Sequence, residues 1–247
     1  MVTAISAHRG GSEHGREGTY EAYRSALDTG AEYVEFDIRR TADGTLVSCH
    51  PARVSRRAVA AVSYDQLCRL AGYRVPRMTE VLPSLAGRAA AHLDLKQADC
   101  AEEVVELGAR VLGPVRLLVT TGDGPLAAEL GRRFPAVPFG VTIGGDLAQA
   151  AGFAARRLRT PGLSRLAPVL AAGSGWAVVH RRLARTGVLA ECRSRGLKTA
   201  VWTVNAGREM THWLASSQVD VLITDRPGHA IALRARPAVG GPAGSGT

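Results

Sequence analysis

The residues best suited to chemistry lie near the amino terminus of this 247-residue chain. They are His8, Arg9, Glu35, Asp37 and His50. Histidines move protons, arginine binds phosphate and paired carboxylates hold cations, so this set predicts metal-assisted chemistry on a phosphate ester. One residue separates Glu35 from Asp37, which places both carboxylates on one face of a strand, where a single cation could bridge them.

A third carboxylate and a lysine follow further along the chain with the same spacing. Asp94 and Lys96 are two residues apart, and His92 lies one step deeper on the same face of a strand, where we expect an interior polar group. Lys96 and Lys198 are the only lysines, which makes Lys96 a candidate phosphate contact. With the two earlier carboxylates, Asp94 completes an oxygen-ligand set suited to Mg²⁺ or Ca²⁺ rather than to zinc.

Short apolar, β-branched runs alternate with longer amphipathic segments along the chain, the pattern of β-α units in a parallel sheet. The predicted strands are Ala4–His8, Tyr33–Arg39, Ala90–Lys96, Leu117–Thr121, Phe139–Ile143, Ala177–Arg181, Thr199–Asn205 and Val221–Thr224. The predicted helices include Thr19–Thr29, Ala101–Leu112, Leu126–Arg133, Leu147–Arg157, Gly187–Arg195 and Arg208–Ser216. Eight such alternations predict an α/β fold, a (β/α)8 TIM barrel, with a doubly wound open sheet as the alternative.

Active sites of such barrels are built at the carboxyl ends of the strands, and every candidate falls there. His8 and Arg9 close the first predicted strand, Asn205 ends the seventh and Asp225 follows the eighth. The stretch from about residue 44 to 88 interrupts the alternation with a short strand, an arginine-rich loop and two helices. We therefore expect a small insertion between the second and third barrel strands, over one end of the barrel.

The length and the apolar content are compatible with one domain, the barrel, which we place at residues 1–236, and we expect a disordered tail over 237–247, which is rich in Gly, Pro and Ala. The four cysteines are scattered, so neither a disulfide framework nor a zinc knuckle is expected. Arginines spread along the whole chain produce the net charge of +9, and nucleic-acid binding is not expected. No signal peptide or membrane span is visible, which predicts a cytoplasmic protein without stable membrane insertion.

These motifs, taken in order, resemble the glycerophosphodiester phosphodiesterases, a family of (β/α)8 barrels with a small inserted segment. The family opens with His-Arg-Gly and continues with Glu-Asn-Thr, Gly-Ala-x-x-x-Glu-x-Asp and Thr-x-Asp-Gly motifs. The similar segments here are His8–Gly10, Glu17–Thr19, Gly30–Asp37, Thr41–Gly44, His50, Asp94–Lys96, Trp202–Asn205 and Asp220–Pro227. The similarity extends to about residue 236, and the order of the motifs makes it specific.

The resemblance implies a phosphodiesterase that uses one divalent cation, Mg²⁺ or Ca²⁺, and hydrolyses a small-molecule glycerophosphodiester to an alcohol and glycerol 3-phosphate. It implies general acid and base roles for His8 and His50. The implied metal ligands are Glu35, Asp37 and Asp94. The implied phosphate contacts are Arg9 and Lys96, and Glu17 and Trp202 are further candidate substrate contacts.

Several positions depart from the family pattern and bear on the substrate. Pro51 follows His50 where the family has aspartate, Gly18 replaces an asparagine, and Arg57-Ala58 replace threonines. These changes leave open a phosphodiesterase, lyase or phospholipase D-like enzyme that acts on a specialised or nucleotide-linked phosphodiester. A non-catalytic barrel that binds phosphorylated ligands is a third possibility, against which the paired histidines and carboxylates count. The alcohol and the oligomeric state stay open.

Overall fold

The computed structural model describes residues 2–144 and 175–235. The strands are β1 (Ala4–Ala7), β2 (Tyr33–Arg40), β3 (Leu46–Ser48), β4 (Arg53–Val54), β5 (Arg57–Ala58), β6 (Ala90–Leu95), β7 (Leu117–Thr121), β8 (Phe139–Ile143), β9 (Trp176–His180), β10 (Lys198–Trp202) and β11 (Val221–Thr224). The helices are α1 (Tyr20–Thr29), α2 (Tyr64–Ala71), α3 (Met78–Val81), α4 (Ala101–Leu112), α5 (Gly124–Arg133), α6 (Arg181–Leu183), α7 (Leu189–Ser194), α8 (Gly207–Leu214) and α9 (Pro227–Arg234).

Eight parallel strands close into a barrel. The strand order is β1-β11-β10-β9-β8-β7-β6-β2, and β1 also pairs with β2 through Ser6 and Tyr33, which joins the two ends of the sheet. One further strand of this sheet, β3, pairs antiparallel with β2 and lies outside the closed ring. The (β/α)8 barrel with a small insertion is therefore confirmed, and the open doubly wound sheet is excluded.

Alternate side chains of each barrel strand face the helices and the barrel interior, because successive residues of a strand point to opposite sides. In β6, Ala91 and Leu93 pack in the main apolar core, between the strands and the helices, whereas His92 and Asp94 line the cavity inside the barrel. A separate apolar cluster fills much of the interior: Leu118, Trp176, Val178, Ala200, Val221 and Ile223. The polar interior residues of β6 are therefore placed by the strand's alternation.

The segment between β2 and β6 has an apolar core of its own. It contains β3, the β4–β5 hairpin, α2 and α3, and its buried side chains are Val47, Cys49, Val59, Val62, Tyr64, Leu67 and Val75. A capping box starts α2, because Ser63 accepts a hydrogen bond from the Gln66 N–H and the Gln66 side chain accepts one from the Ser63 N–H. This packing anchors the loop that carries His50.

Some predicted bounds differ from the observed ones. Strand β10 ends at Trp202, so Asn205 lies in the following loop rather than at the strand end. The predicted helix Gly187–Arg195 is interrupted, since Gly187 has a left-handed φ of 85° inside a π-helical turn and α7 begins only at Leu189. The predicted helix Leu147–Arg157 and the predicted tail lie outside the described residues.

Candidate active site

A cavity of about 870 Å³ opens at the carboxyl ends of the barrel strands. It is lined by nearly all the candidate residues from the sequence, namely His8, Arg9, Glu35, Asp37, His50, Asp94, Lys96 and Trp202. The strand order explains the convergence, because β1, β2 and β6 are neighbours in the barrel and end at the same rim. Glu17 lies just outside this lining and contacts it through Arg9.

The turn after β1 brings two adjacent side chains into the cavity. The strand ends at Ala7, and a short 3-10 turn follows in which Arg9 has a left-handed φ of 51° and Gly10 one of 80°. A Cβ at Gly10 would lie 2.7 Å from the Ala22 carbonyl carbon of α1, so glycine is required for this close approach. The Arg9 N–H donates to a Glu35 carboxylate oxygen at 2.8 Å and ties the turn to β2.

His8 is held by a carboxylate that follows the last strand. Its Nδ1 lies 2.6 Å from Asp225 Oδ1, and Asn205 donates to the other Asp225 oxygen at 2.5 Å. The Asp225 N–H donates in turn to Asn205 Oδ1 at 3.0 Å. Burial lowers the pKa of His8, but the hydrogen bond to Asp225 and the charge of Glu35 outweigh it, so the pKa is raised. Nε2 is left as the ring nitrogen that can act on a ligand.

The three carboxylates of β2 and β6 share one buried site with two cationic side chains, those of Arg9 and Lys96. Oxygens of Glu35, Asp37 and Asp94 lie within 4.8 Å of one another. Arg9 Nε donates to Asp37 at 2.7 Å, and the Lys96 ammonium lies 2.9 Å from the other Asp37 oxygen and also contacts Asp94. Burial raises the pKa of the Asp37 carboxyl, but the charges of Lys96 and Arg9 lower it by more, so the net shift is downward.

The donor set fits a divalent cation. Burial and the nearby Asp37 charge raise the pKa of Glu35 to about 8, and burial also raises the pKa of Asp94. Both shifts arise because negative charges are held close together in a site that is shielded from water. Such repulsion persists although Arg9 and Lys96 are present. A hard cation with oxygen ligands would offset it, so Glu35, Asp37 and Asp94 form a candidate metal site.

A buried hydrogen-bond chain orients Asp94. Thr120 Oγ1 donates to Asp94 Oδ1 at 2.9 Å, and His92 Nε2 lies 3.0 Å from the same Thr120 hydroxyl. Because Thr120 is the donor to Asp94, it accepts from His92, whose Nδ1 can then accept from Ser6 at 3.4 Å. Burial lowers the pKa of His92 to about 3, so the ring stays neutral. His92 is the interior polar group predicted from its spacing.

His50 reaches the cavity from the insertion rather than from the barrel. It lies two residues after the end of β3, and its side chain is exposed. Its backbone carbonyl accepts two hydrogen bonds from the Arg39 guanidinium, at 3.1 and 3.3 Å. The same guanidinium donates to the Lys96 carbonyl at 3.5 Å. Partial desolvation lowers the pKa of His50, and the charges of Arg9 and Lys96 lower it further against the opposing Asp37.

Glu17 and Trp202 occupy the edges of the site. Glu17 accepts from Arg9 Nη1 at 2.6 Å, in the loop before α1. Trp202 ends β10 and its ring meets His180 edge-on at 5.4 Å. Its indole Nε1 is buried and has no hydrogen-bond partner in the described ranges. These contacts place Glu17 behind Arg9 and the Trp202 ring on the cavity wall.

Two residues around the histidines carry interactions that the sequence alone did not assign. From the sequence, Asp225 is distinguished only by following the eighth strand, and no pattern places Arg39 in the site. The signal for Asp225 was its position, since a polar residue directly after a barrel strand lies at the rim. Arg39 had no such signal, because its role depends on where the chain after β3 returns.

Comparison with known proteins agrees with this architecture. The sequence matches the glycerophosphoryl diester phosphodiesterase family over residues 8–83 and 73–229. The chain therefore belongs to this family of enzymes. A glycerophosphodiester phosphodiesterase of Caldanaerobacter subterraneus is 32% identical over 96 residues, a match that covers 33% of this chain and 40% of that relative.

Solved structures show the same fold. A glycerophosphodiester phosphodiesterase from Parabacteroides distasonis superposes with a TM-score of 0.75 at 22% identity, covering 95% of this chain and 98% of its own. A phosphodiesterase from Oleispira antarctica, solved with the product sn-glycerol-3-phosphate, gives a TM-score of 0.72 at 16% identity, covering 94% and 96%. At these identities the likeness establishes the barrel and no more.

Proposed function

We propose that this barrel hydrolyses a glycerophosphodiester to an alcohol and glycerol 3-phosphate, using one divalent cation. The observation that carries the proposal is the convergence of three buried carboxylates, two cationic side chains and two histidines on one cavity. Family membership supports the reaction class, and the Oleispira phosphodiesterase with bound sn-glycerol-3-phosphate supports the product. The substrate is a small molecule, and no nucleic-acid partner is proposed.

Glu35, Asp37 and Asp94 would hold the cation, Mg²⁺ or Ca²⁺. Bound there, it would supply positive charge that stabilises the phosphoryl oxygens as negative charge grows on them. Arg9 and Lys96 act toward the same oxygens. Each contacts carboxylates, yet a guanidinium has five N–H donors and an ammonium three, so both keep donors for phosphate. Glu17 orients Arg9 for this contact.

The two histidines divide the proton transfers. Although burial lowers the pKa of His8, the hydrogen bond from its Nδ1 to Asp225 contributes to a net rise, which favours the protonated ring, and Nε2 donates a proton to the oxygen of the departing alcohol as the P–O bond breaks. Desolvation lowers the pKa of His50, which favours the neutral ring, and this ring accepts the proton of the attacking oxygen, which belongs to water or to the vicinal hydroxyl of the substrate. When water attacks, glycerol 3-phosphate forms directly, and the histidines are reset by proton exchange with solvent. When the vicinal hydroxyl attacks, a cyclic phosphate forms, and water then opens it with the two histidines in exchanged roles, which restores both.

The remaining predictions concern the edges of the site and the setting of the protein. Trp202 lines the substrate mouth, where its ring packs against the alcohol or glycerol group. Residues 1–236 form the catalytic unit. None of the helices in the described ranges is long and apolar enough to cross a membrane. The cytoplasmic location stays a prediction.

A product panel tests the proposal. The purified protein would be incubated with glycerophosphodiesters of different alcohols and with phosphodiesters that lack glycerol, and the phosphate product identified by chromatography. We expect glycerol 3-phosphate from the glycerol-containing compounds only. A different phosphate monoester, or turnover restricted to compounds without glycerol, would assign the site to another phosphodiester.

A further inference from the structure

The hairpin that follows His50 carries positive charge that the proposed chemistry does not use. Strands β4 and β5 and their turn contain Arg53, Arg56 and Arg57, and all three side chains are exposed. Within residues 2–144 and 175–235, none of them forms an ion pair with a carboxylate. Three guanidinium groups thus face solvent without a neutralising partner.

The base of this hairpin forms part of the cavity wall. Pro51 and Ala52 line the cavity, and Arg53 comes next in the chain. The Ala52 carbonyl accepts a hydrogen bond from the Val59 N–H at 3.0 Å, which holds the end of the hairpin beside its beginning. The three arginines do not line the cavity, and the Arg53 guanidinium donates to the Arg56 carbonyl at 3.0 Å. They would therefore meet the part of a ligand that extends out of the cavity past Pro51 and Ala52.

The hairpin is anchored rather than free. Val54 packs against the apolar core of the insertion, and Ser55 donates to the Leu70 carbonyl of α2 at 3.3 Å. Ser55 and Arg56 have left-handed φ values of 46° and 66°. A two-residue turn with both φ values positive favours Asn-Gly, so the backbone conformation gives no reason for an arginine at position 56. The exposed Arg56 side chain therefore adds a positive charge that the turn does not require.

The inner and outer cations differ in what they can bind. Arg9 contacts Asp37 and Glu17, and Lys96 contacts Asp37 and Asp94, so most of their charge is already balanced. The charges of the three hairpin arginines are not balanced by a carboxylate within the described residues. At about 870 Å³ the cavity is near the upper end for small-molecule sites, which leaves room beside one glycerophosphate group.

We propose that Arg53, Arg56 and Arg57 form a second anion subsite, which favours glycerophosphodiesters whose alcohol carries a further phosphate. Guanidinium groups bind phosphate oxygens through paired N–H donors and keep their charge at every physiological pH. This inference deepens the proposed function and rests on it for the identity of the reacting phosphodiester. It makes the insertion the part of the chain that selects the alcohol.

The test compares two ligands that differ by one glycerophosphoryl unit, glycerophosphoglycerol with one phosphodiester and bis(glycerophospho)glycerol with two. Their dissociation constants would be measured by calorimetry, with Mg²⁺ at a fixed concentration, in the His8→Gln background to prevent turnover. The hairpin variant is R53Q/R56Q/R57Q, and R53K/R56K/R57K retains the charge. The matched control, R110Q/R116Q/R132Q, removes three exposed arginines at the opposite end of the barrel.

We expect the parent to bind the doubly charged ligand roughly tenfold more tightly than the singly charged one, with the preference falling as salt rises. The glutamine hairpin variant should lose most of this ratio, while the lysine variant and the control keep it. Equal ratios in the parent and the glutamine variant would overturn the subsite. The proposed function is judged separately, by whether the unsubstituted protein releases glycerol 3-phosphate from these two compounds.

Discussion

His8 and His50 line the same cavity but come from different parts of the molecule, and their surroundings differ. The His8 side chain is 12% exposed, follows a barrel strand and is fixed through its ring by Asp225. His50 is exposed, belongs to the insertion, and among the described residues only its backbone is held, by Arg39. The barrel thus fixes one histidine, and a segment with its own core supplies the other.

This difference separates the reaction from the choice of substrate. The metal ligands, the phosphate contacts and His8 all sit on or beside β1, β2 and β6, whose positions are set by the barrel. Two of the departures from the family pattern, Pro51 and Arg57-Ala58, lie in the chain around His50, and the third, Gly18, lies in the loop before α1. Changes there can alter the alcohol that binds without disturbing the buried carboxylates.

The largest expected effect comes from removing either histidine. We expect His8→Ala and His50→Ala each to lower kcat by about 10²- to 10⁴-fold, the usual contribution of a positioned acid or base. The measurement is glycerol 3-phosphate release under saturating substrate. Activity that survives in both variants would show that the histidines are not the proton-transfer groups.

Asp225→Asn tests whether the barrel tunes His8. The hydrogen bond to Asp225 raises the pKa of His8 against the effect of burial, so its loss should lower that pKa. His8 donates a proton, so the alkaline limb of the kcat–pH profile should shift to lower pH and kcat at neutral pH should fall by roughly tenfold to a hundredfold. The acidic limb, which reports His50, should stay in place. An unshifted alkaline limb would mean that Asp225 has only a structural role.

Arg39→Gln tests how the insertion is held to the barrel. Without the guanidinium, the His50 carbonyl loses both of its hydrogen bonds to β2, so the imidazole should be less well placed. We expect kcat to fall about tenfold with little change in KM, since misplacing a catalytic group costs rate more than binding. Lysine at this position should restore part of the rate. Equal losses in the lysine and glutamine variants would argue against this positioning role.

Trp202 should show the smallest effect and distinguishes ring packing from hydrogen bonding. Because its indole Nε1 has no partner in the described part of the chain, Trp202→Phe should change kcat/KM by less than about threefold. Trp202→Ala should raise KM by roughly three- to tenfold through loss of apolar contact. A large loss in the phenylalanine variant would indicate that the substrate hydrogen-bonds to the indole.

The barrel and the acidic cluster were predictable because local patterns determine them. Alternating β-α signals give the fold, and the i, i+2 spacing of Glu35 with Asp37 and of Asp94 with Lys96 places each pair on one strand face. The adjacency of β2 and β6 then follows from the barrel topology. Neither step depends on the conformation of the loops that connect the strands.

The surroundings of the histidines were not predictable in the same way. The contact between His8 and Asp225 joins residues 217 positions apart and needs the barrel to close at β1 and β11. The Arg39 contact depends on the path of the chain after β3. Both interactions are set by tertiary geometry, which periodicity and spacing do not encode.

The most direct test is glycerol 3-phosphate release from a glycerophosphodiester before chelation, after chelation, and after Mg²⁺ or Ca²⁺ is restored. Glu35→Gln, which removes one proposed ligand charge, serves as the matched variant. We predict that chelation abolishes turnover in the unsubstituted protein, that one of the two ions restores it, and that the variant needs much more metal for partial recovery. Turnover that is unaffected by the chelator would contradict the account.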